Sequence, residues 1–275
     1  MTEALGVVVV TRNHERTIGP VLEALAAQTQ PAEKTVVVDC GSDHISWMRV
    51  WQGRADMEFV ALGRNAGFAG GNNEGWRRLG LRTGLVLFLN PDVIMPPRLL
   101  ERLRIFSKEA RAHDLSAWSV RLMRWDFARG AATGEVDSTG LFPHWTGWRD
   151  RRGDASSPGD IVEPVPALCG AFFMARVPEL HATALSGGAV WDERYLAYKE
   201  DVELSLRLRR AGRRIGVWHG AEAWHGRGWA SNRREMSREV RLLSARNEVM
   251  LHREYAPWRL PVSLVKLAAV RWLDL

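Results

Sequence analysis

Four short apolar runs in the first ninety residues restrict this chain more than any other feature. They read LGVVVV (Leu5–Val10), TVVV (Thr35–Val38), EFVAL (Glu58–Leu62) and LVLFL (Leu85–Leu89). Unbroken runs rich in β-branched and aromatic residues fit strands buried on both faces, as in a parallel sheet covered by helices. Helical patterns lie between them. Ile18, Val21, Leu22 and Leu25 carry helical spacing over Glu15–Gln28, which Pro31 closes. A short helix is expected over Ile45–Gln52, a glycine-rich loop and helix over Asn65–Leu81, and a helix over Arg98–Ala110. The alternation predicts an α/β fold, a Rossmann-like, mostly parallel central sheet flanked by helices and wound by right-handed crossovers.

The rest of the chain is less regular. Arg121–Glu163 is rich in Gly, Asp, Arg and Trp and is expected to form loops with short strands. Ala167–Arg176 is apolar, and a helix begins near Pro178. Asp201–Ala211 is strongly helical with Gly212 as its stop signal. Ile215–Trp218 reads as a strand, Arg233–Glu254 as a long basic helix, and Trp258–Leu275 as a tail mixing Leu, Val and Trp with Arg and Lys. We therefore divide the chain into a nucleotide-binding type of half over residues 1–110, a second half of the same domain over 111–232, and a basic helical extension over 233–275.

Ligands of open α/β sheets bind at the carboxyl ends of the strands. The residues following the four runs are Thr11, Arg12 and Asn13, then Asp39, then Arg64 and Asn65, then Asp92. Asp39 fits either a turn former at a strand end or an acceptor for a base or ribose. Asp92, in Asn90-Pro91-Asp92, fits either a helix cap or a carboxylate for a hard divalent cation, with His225 as a second ligand. Arg64–Gly75 reads RNAGFAGGNNEG, a glycine- and asparagine-rich approach to a helix. Glu200-Asp201 opens a helix, where acids complement the helix dipole and one of them could serve as a general base.

Other classes lose support. The glycine loop is neither GxGxxG nor a P-loop, and no GxSxG elbow is present. Cys40 and Cys169 lack zinc-ligand spacing, and Cys169 reads as a small core residue rather than a nucleophile. Two cysteines in 275 residues suit a reducing compartment. No signal peptide and no apolar stretch of about 18 residues is visible, so a cytoplasmic protein is expected, soluble or peripheral at the inner face of the plasma membrane. With 46% hydrophobic and 25% charged residues, the chain has material for a core and is not a disordered type. Its net charge of +6 is concentrated late, with 15 basic and 8 acidic residues from Asp201 onward. That field suits phosphates on a substrate or a membrane surface. No nucleic-acid-binding signature accompanies it.

Seven stretches in order carry a family resemblance: VVVVTRN (Val7–Asn13), VVVDCGSD (Val36–Asp43), RNAGFAGGNNEG (Arg64–Gly75), FLNPDV (Phe88–Val93), CGAFFMAR (Cys169–Arg176), WDERYLAYKEDVELSLRLRRAG (Trp191–Gly212) and AWHGRG (Ala223–Gly228). Together they resemble the inverting glycosyltransferase family 2 with its GT-A fold, and more narrowly its rhamnosyltransferase-like branch. The resemblance implies roles. Thr11 and Asn13 would contact the nucleotide and Asp39 the pyrimidine base. Arg64, Asn65, Gly67, Gly71 and Asn72 would cradle nucleotide or sugar. Asp92, at the last acid of the family's DxD motif, would hold Mg²⁺ or Mn²⁺ with help from His225. Asp201 would be the catalytic base, supported by Glu200. Cys169, Gly170 and Trp224 would shape the acceptor side.

The implied donor is a nucleotide diphosphate sugar, dTDP-rhamnose first, with UDP-sugars presenting the same pairing edge. The implied acceptor is a glycan, a lipid-linked glycan or a small molecule. The sequence departs from the pattern at Asn90, which replaces the first acid of DxD and thins the metal site. Lys199, just before the acid pair, is placed to depress the Asp201 pKa or to meet an anionic acceptor. Of 13 tryptophans, those of the second half include Trp145, Trp148, Trp218, Trp224 and Trp229, for packing, sugar stacking or a membrane interface. Three rivals remain. A sugar-nucleotide pyrophosphorylase would want a glycine-rich loop where TRNHERTIG stands. A non-catalytic binding subunit would tend to lose Asp92 or Asp201. A peripheral membrane protein would depend on its tail.

Overall fold

A computed structural model describes residues 3–112, 114–145, 147–153, 159–227 and 236–273. The four apolar runs become β1 (Leu5–Thr11), β2 (Lys34–Asp39), β3 (Met57–Ala61) and β4 (Leu85–Leu89), parallel and in the order β3-β2-β1-β4. Between and after them lie α1 (Glu15–Ala26), α2 (Met48–Trp51), α3 (Gly67–Leu79) and α4 (Leu99–Ala112). Alternation along β1 builds both cores. Val7 and Val9 face the layer of α1 and α4, while Val8 and Val10 face α3.

The second half extends the same sheet. It contributes β5 (Val93–Ile94), β6 (Leu115–Asp126), β7 (Ala131–Ser138), β8 (Leu141–His144), β9 (Gly147–Asp150), β10 (Val162–Pro164), β11 (Phe172–Arg176) and β12 (Arg214–His225). The full order is β10-β12-β6-β11-β4-β1-β2-β3, with β5 on β12 and β7 on β6, while β8 and β9 form a separate hairpin. β11 enters antiparallel to β4, pairing Phe172 with Leu89, so its leading residues arrive at the ligand edge of the parallel half. The helices α5 (Val177–Ala182) and α6 (Glu200–Arg210) cover this half. Then α7 (Arg238–Tyr255) packs against α8 (Leu260–Leu273) across a 3-10 turn at Pro257–Arg259.

Two expectations need correction. Arg121–Glu163 is not mainly loop, because β6 is a 12-residue strand with β7 folded back on it. The apolar pattern breaks there because Arg121 is buried and paired with Glu222 at 3.1 Å, so a charged residue occupies a core position. Likewise β12 continues past Trp218 through an irregularity and places His225 in a strand, well beyond the Ile215–Trp218 strand read from the sequence. Residues 228–235, with Gly228, Trp229 and the start of the expected basic helix, lie outside the described residues, as do residues 274–275 of the tail.

Glycines set how closely α3 lies on the sheet. A Cβ on Gly71 would sit 2.6 Å from Val10 Cγ1 and 2.7 Å from Cys40 Sγ, and one on Gly75 would sit 2.3 Å from Val8 Cγ1. The expectation that Gly71 cradles a ligand is therefore corrected. It faces the sheet, and its missing side chain lets helix and strand meet.

Candidate active site

The carboxyl edge of the parallel strands collects the polar residues read from the sequence. Thr11 and Asp39 are register partners on neighbouring strands, both buried. The Asp39 carboxylate turns inward on its own loop. Its Oδ1 accepts from Gly41 N–H at 3.0 Å and Ser42 N–H at 2.9 Å, and its Oδ2 accepts from the Ser42 hydroxyl. This is the turn-forming role. It also aims the loop, because Ser42 Oγ accepts from Asn13 N–H at 2.7 Å and Asp43 N–H donates to Asn13 Oδ1 at 2.9 Å. Asn13, at φ 57°, is thus pinned across to the second strand's turn.

The glycine-rich loop leans on the segment before the acid pair. Asn65 Oδ1 accepts from Gly67 N–H at 3.0 Å, and Phe68 N–H donates to Leu196 O at 2.8 Å. Gly67, at φ +68°, leaves only 2.1 Å between an added Cβ and Leu196 O, so no side chain fits. Arg64 and Asn65 are exposed at this edge. Asn72 turns into its own helix, donating to Phe68 O at 3.0 Å, and is buried. Its neighbour Asn73, which the sequence reading passed over, is the latch. Asn73 donates to Trp191 O at 2.8 Å and Glu193 Oε1 at 2.9 Å, and accepts from Val190 N–H at 3.0 Å and Trp191 N–H at 2.9 Å.

Asp92 does not cap a helix, since β5 intervenes before α4. Its Oδ1 lies 3.3 Å from His225 Nε2, and His225 Nδ1 is 2.8 Å from Asp137 Oδ2. Arg227 then spans Asp137 Oδ1 at 3.1 Å and Asp150 Oδ2 at 2.8 Å. Burial opposes the imidazolium, but Asp92 and Asp137 outweigh it and raise His225 to about 9. Burial alone would raise Asp92, yet His225 brings it below the usual carboxylate range. A buried imidazole oriented by a second carboxylate is the usual support for a metal-binding histidine. Asn90 Oδ1, two residues before Asp92, is buried without a hydrogen-bond donor among the described residues. The Asp92 carboxylate suits a hard divalent cation that keeps water and phosphate ligands, and His225 would join it as a ligand on giving up the proton it holds between Asp92 and Asp137. Among the described residues, no group of three His, Cys, Asp or Glu side chains could hold a metal ion alone. His219 is elsewhere, 3.1 Å from Glu163 Oε2.

Asp201 sits where β11 meets α6. Its Oδ2 accepts from Gly170 N–H at 3.0 Å and its Oδ1 from Val202 N–H at 2.8 Å. Ala171 O accepts from Asn90 N–H at 2.9 Å, which ties the Gly170 side to the end of β4. Burial raises the Asp201 pKa, against the pull of those amides and of Lys199. Lys199 lowers it as expected, but desolvation is the larger effect, so the net shift is upward. Glu200 is buried with Oε2 unpaired among the described residues, and burial next to Asp201 raises it well above the usual range.

The backbone before this pair is strained. Tyr198 has φ 72° and Lys199 φ 76°, two consecutive non-glycine residues in the left-handed region. Asn247 of α7 holds them, its side-chain amide donating to Ala197 O and Tyr198 O, each at 2.8 Å. Cys169 is buried beside Asp201, and burial first and foremost raises its thiol well above the ordinary value, which suits an inert thiol. Cys169 and Gly170 thus meet the acid pair. Trp224 precedes His225 in β12, so alternation turns it to the other face, where its ring lies 5.6 Å from Trp125.

Comparisons with known proteins bear on this arrangement. The family model described as "Glycosyltransferase like family 2" matches residues 3–241. No curated protein matches the sequence. A mannosyltransferase from Pyrobaculum calidifontis, solved with GDP-Man and Mn²⁺, aligns with TM-score 0.59 at 19% identity over 98% of this chain and 76% of that one. TarS residues 1–349 from S. aureus align with TM-score 0.57 at 17% identity over 98% of this chain and 72% of that one. GalNAc-T7, solved with UDP, GalNAc and Mn²⁺, aligns with TM-score 0.66 at 13% identity over 92% of this chain, which spans 48% of GalNAc-T7. At these identities the structural likeness speaks to the fold, which is GT-A.

Proposed function

The chain belongs to glycosyltransferase-like family 2 and is a glycosyltransferase, and from that premise we propose an inverting transfer with Asp201 as general base. The donor is a nucleotide diphosphate sugar, and dTDP-rhamnose is the one we propose first. Asp201 takes the proton of an acceptor hydroxyl. That oxygen bonds to the anomeric carbon from the face opposite the diphosphate, whose bond to the sugar breaks, so the configuration inverts. Thr11, Asn13, Asp39, Arg64, Asn65 and Gly67 form the donor edge, with Asp39 acting through the loop it folds as well as toward the base. Mg²⁺ or Mn²⁺, when bound, would supply positive charge against the charge growing on the leaving group. Asp92 and His225, with the Asn90 oxygen beside them, would hold it. The Mn²⁺ in the mannosyltransferase and GalNAc-T7 structures supports this cofactor. The buried free thiols Cys40 and Cys169 support a reducing, cytoplasmic setting.

One observation carries the reading. Asp201 is buried enough for its pKa to rise, is fixed by two backbone amides, and is linked through Gly170 and Ala171 to the strand end that bears Asp92. A base tuned upward by burial suits proton removal near neutral pH. The test is a panel of dTDP-, UDP- and GDP-sugars, with and without Mg²⁺ or Mn²⁺, followed by thermal shift and by slow donor hydrolysis. Ligands that bind the native state raise the melting midpoint. A shift with dTDP-rhamnose alone supports the proposed donor, whereas a shift with UDP-sugars alone replaces it. Asp201→Asn keeps the shift and lowers transfer to an acceptor about a hundredfold or more. Full activity in that variant would end the general-base assignment.

A further inference from the structure

The exposed face of α8 and its leading turn is apolar from end to end. Trp258, Pro261, Val262, Val265, Ala268 and Trp272 recur at spacings of three and four and lie on one side. Trp258, Val265 and Trp272 are 74%, 70% and 76% exposed, while Ser263 and Val270 on the opposite side are buried against the protein. Such a stripe is the reverse of a solvated helix surface. From Trp258 to Trp272 it runs about 21 Å at the helical rise.

Three observations decide what covers it. First, tryptophan marks both ends, and indole rings prefer the headgroup level of a bilayer. Second, α8 carries no acidic residue, Arg271 lies over the Trp272 ring and Arg238 donates to Arg271 O at 2.7 Å, so basic side chains gather beside Trp272, while Lys266 is paired with Glu248 on the protein side. Third, the β8–β9 hairpin joins the patch. Arg259 Nη1 donates to His144 O at 3.3 Å, and the adjacent Trp145 is 78% exposed. A second copy of the chain fits less well, because stable protein interfaces engage about 20–30 residues a side, far more than this single stripe offers. A bilayer needs no complementary protein surface.

We propose that α8 and Trp145 of the β8–β9 hairpin form a docking face for an anionic lipid surface, with the helix lying in the interface plane. No described helix is long and apolar enough to cross a membrane, which is in keeping with a helix that lies on it. The same hairpin bears Asp150, which binds Arg227 and through it reaches Asp137 and His225. Docking would therefore bring the catalytic edge close to the lipid surface, where a lipid-linked acceptor presents its hydroxyl. That consequence rests on the glycosyltransferase reading, whereas binding to lipid does not.

The experiment is co-sedimentation of the full chain with phosphatidylcholine vesicles, with and without phosphatidylglycerol, alongside its mass in solution and its donor hydrolysis. Binding is expected to the anionic vesicles and to weaken with salt. Trp258→Ala with Trp272→Ala is expected to weaken it about tenfold or more, since two buried indoles are lost. Val265→Glu is expected to abolish it, and all variants keep donor hydrolysis. Indifference to both vesicle types overturns the proposal, as does vesicle binding that survives Val265→Glu. A concentration-dependent dimer that Val265→Glu dissolves would assign the face to a second copy instead. Loss of donor hydrolysis in the unmodified chain would count against the enzyme reading while leaving the vesicle result to stand or fall alone.

Discussion

Asn247→Ala tests whether the C-terminal helices serve catalysis. The Asn247 amide makes two hydrogen bonds, at 2.8 Å each, to Ala197 O and Tyr198 O. Two such bonds contribute about 2 kcal/mol net. They oppose a strain at Tyr198 and Lys199 of order 1–3 kcal/mol per residue. The two quantities are comparable, so removing the clamp should release the segment rather than merely weaken it. A change of about 2 kcal/mol alters the ratio of held to relaxed segment about thirtyfold. Since Asp201 lies two residues beyond Lys199, we expect kcat to fall about tenfold or more with donor KM little changed. The control is Lys199→Gly, which removes about 1 kcal/mol of left-handed cost. In the Asn247→Ala background it should restore part of kcat, and in the wild-type background it should not add to it. The assay is steady-state transfer on the pH plateau, with melting curves to confirm folding. Unchanged kcat in Asn247→Ala, or a loss that Lys199→Gly leaves untouched, would refute the clamp.

Further outcomes are expected. Glu200→Gln should raise the melting temperature at neutral pH. The folded-state pKa of Glu200 is raised, so between the unfolded value and that raised value the unfolded chain sheds a proton that the native state keeps, and stability falls as pH rises. The benefit of glutamine should shrink as pH drops toward the ordinary glutamate range, and a melting temperature lowered at neutral pH would contradict it. Asn73→Ala breaks four buried hydrogen bonds and should cost about 3 kcal/mol, seen as a melting shift of about 10 °C. A denaturant titration showing under about 1 kcal/mol would mean the latch is dispensable.

How far the sequence could be read depended on whether a residue's partner was local. The strands β1 to β4 and the helix α6 announced themselves because their apolar residues run together or recur at one period. β6 did not, because Arg121 sits in the core and meets Glu222 on a strand just over a hundred positions later. Asp39, Asp92 and Asp201 stood out by following strands or opening a helix. Asp137, Asp150 and Arg227 carry no such mark, and they matter only because β7, β9 and β12 converge on His225. Asn72 and Asn73 are indistinguishable in a string of letters. On a helix they point about 100° apart, and only one faces Trp191. Asn247 could not be found at all, since its partners are carbonyl oxygens whose exposure depends on two unusual backbone angles.

The close seating of α3 has a practical consequence for anyone who maps this enzyme by substitution. Gly71 and Gly75 leave less room than a methyl group needs against Val10, Cys40 and Val8. Larger residues there would lift the helix and carry Asn73 and the Gly67 loop with it. A scan scored by product alone would rank these spacers beside Asp201, the proposed base, and draw the catalytic centre several residues too wide. Scoring each variant for folded yield as well as turnover would redraw that boundary, because spacers lose both together and a true proton acceptor loses only the second.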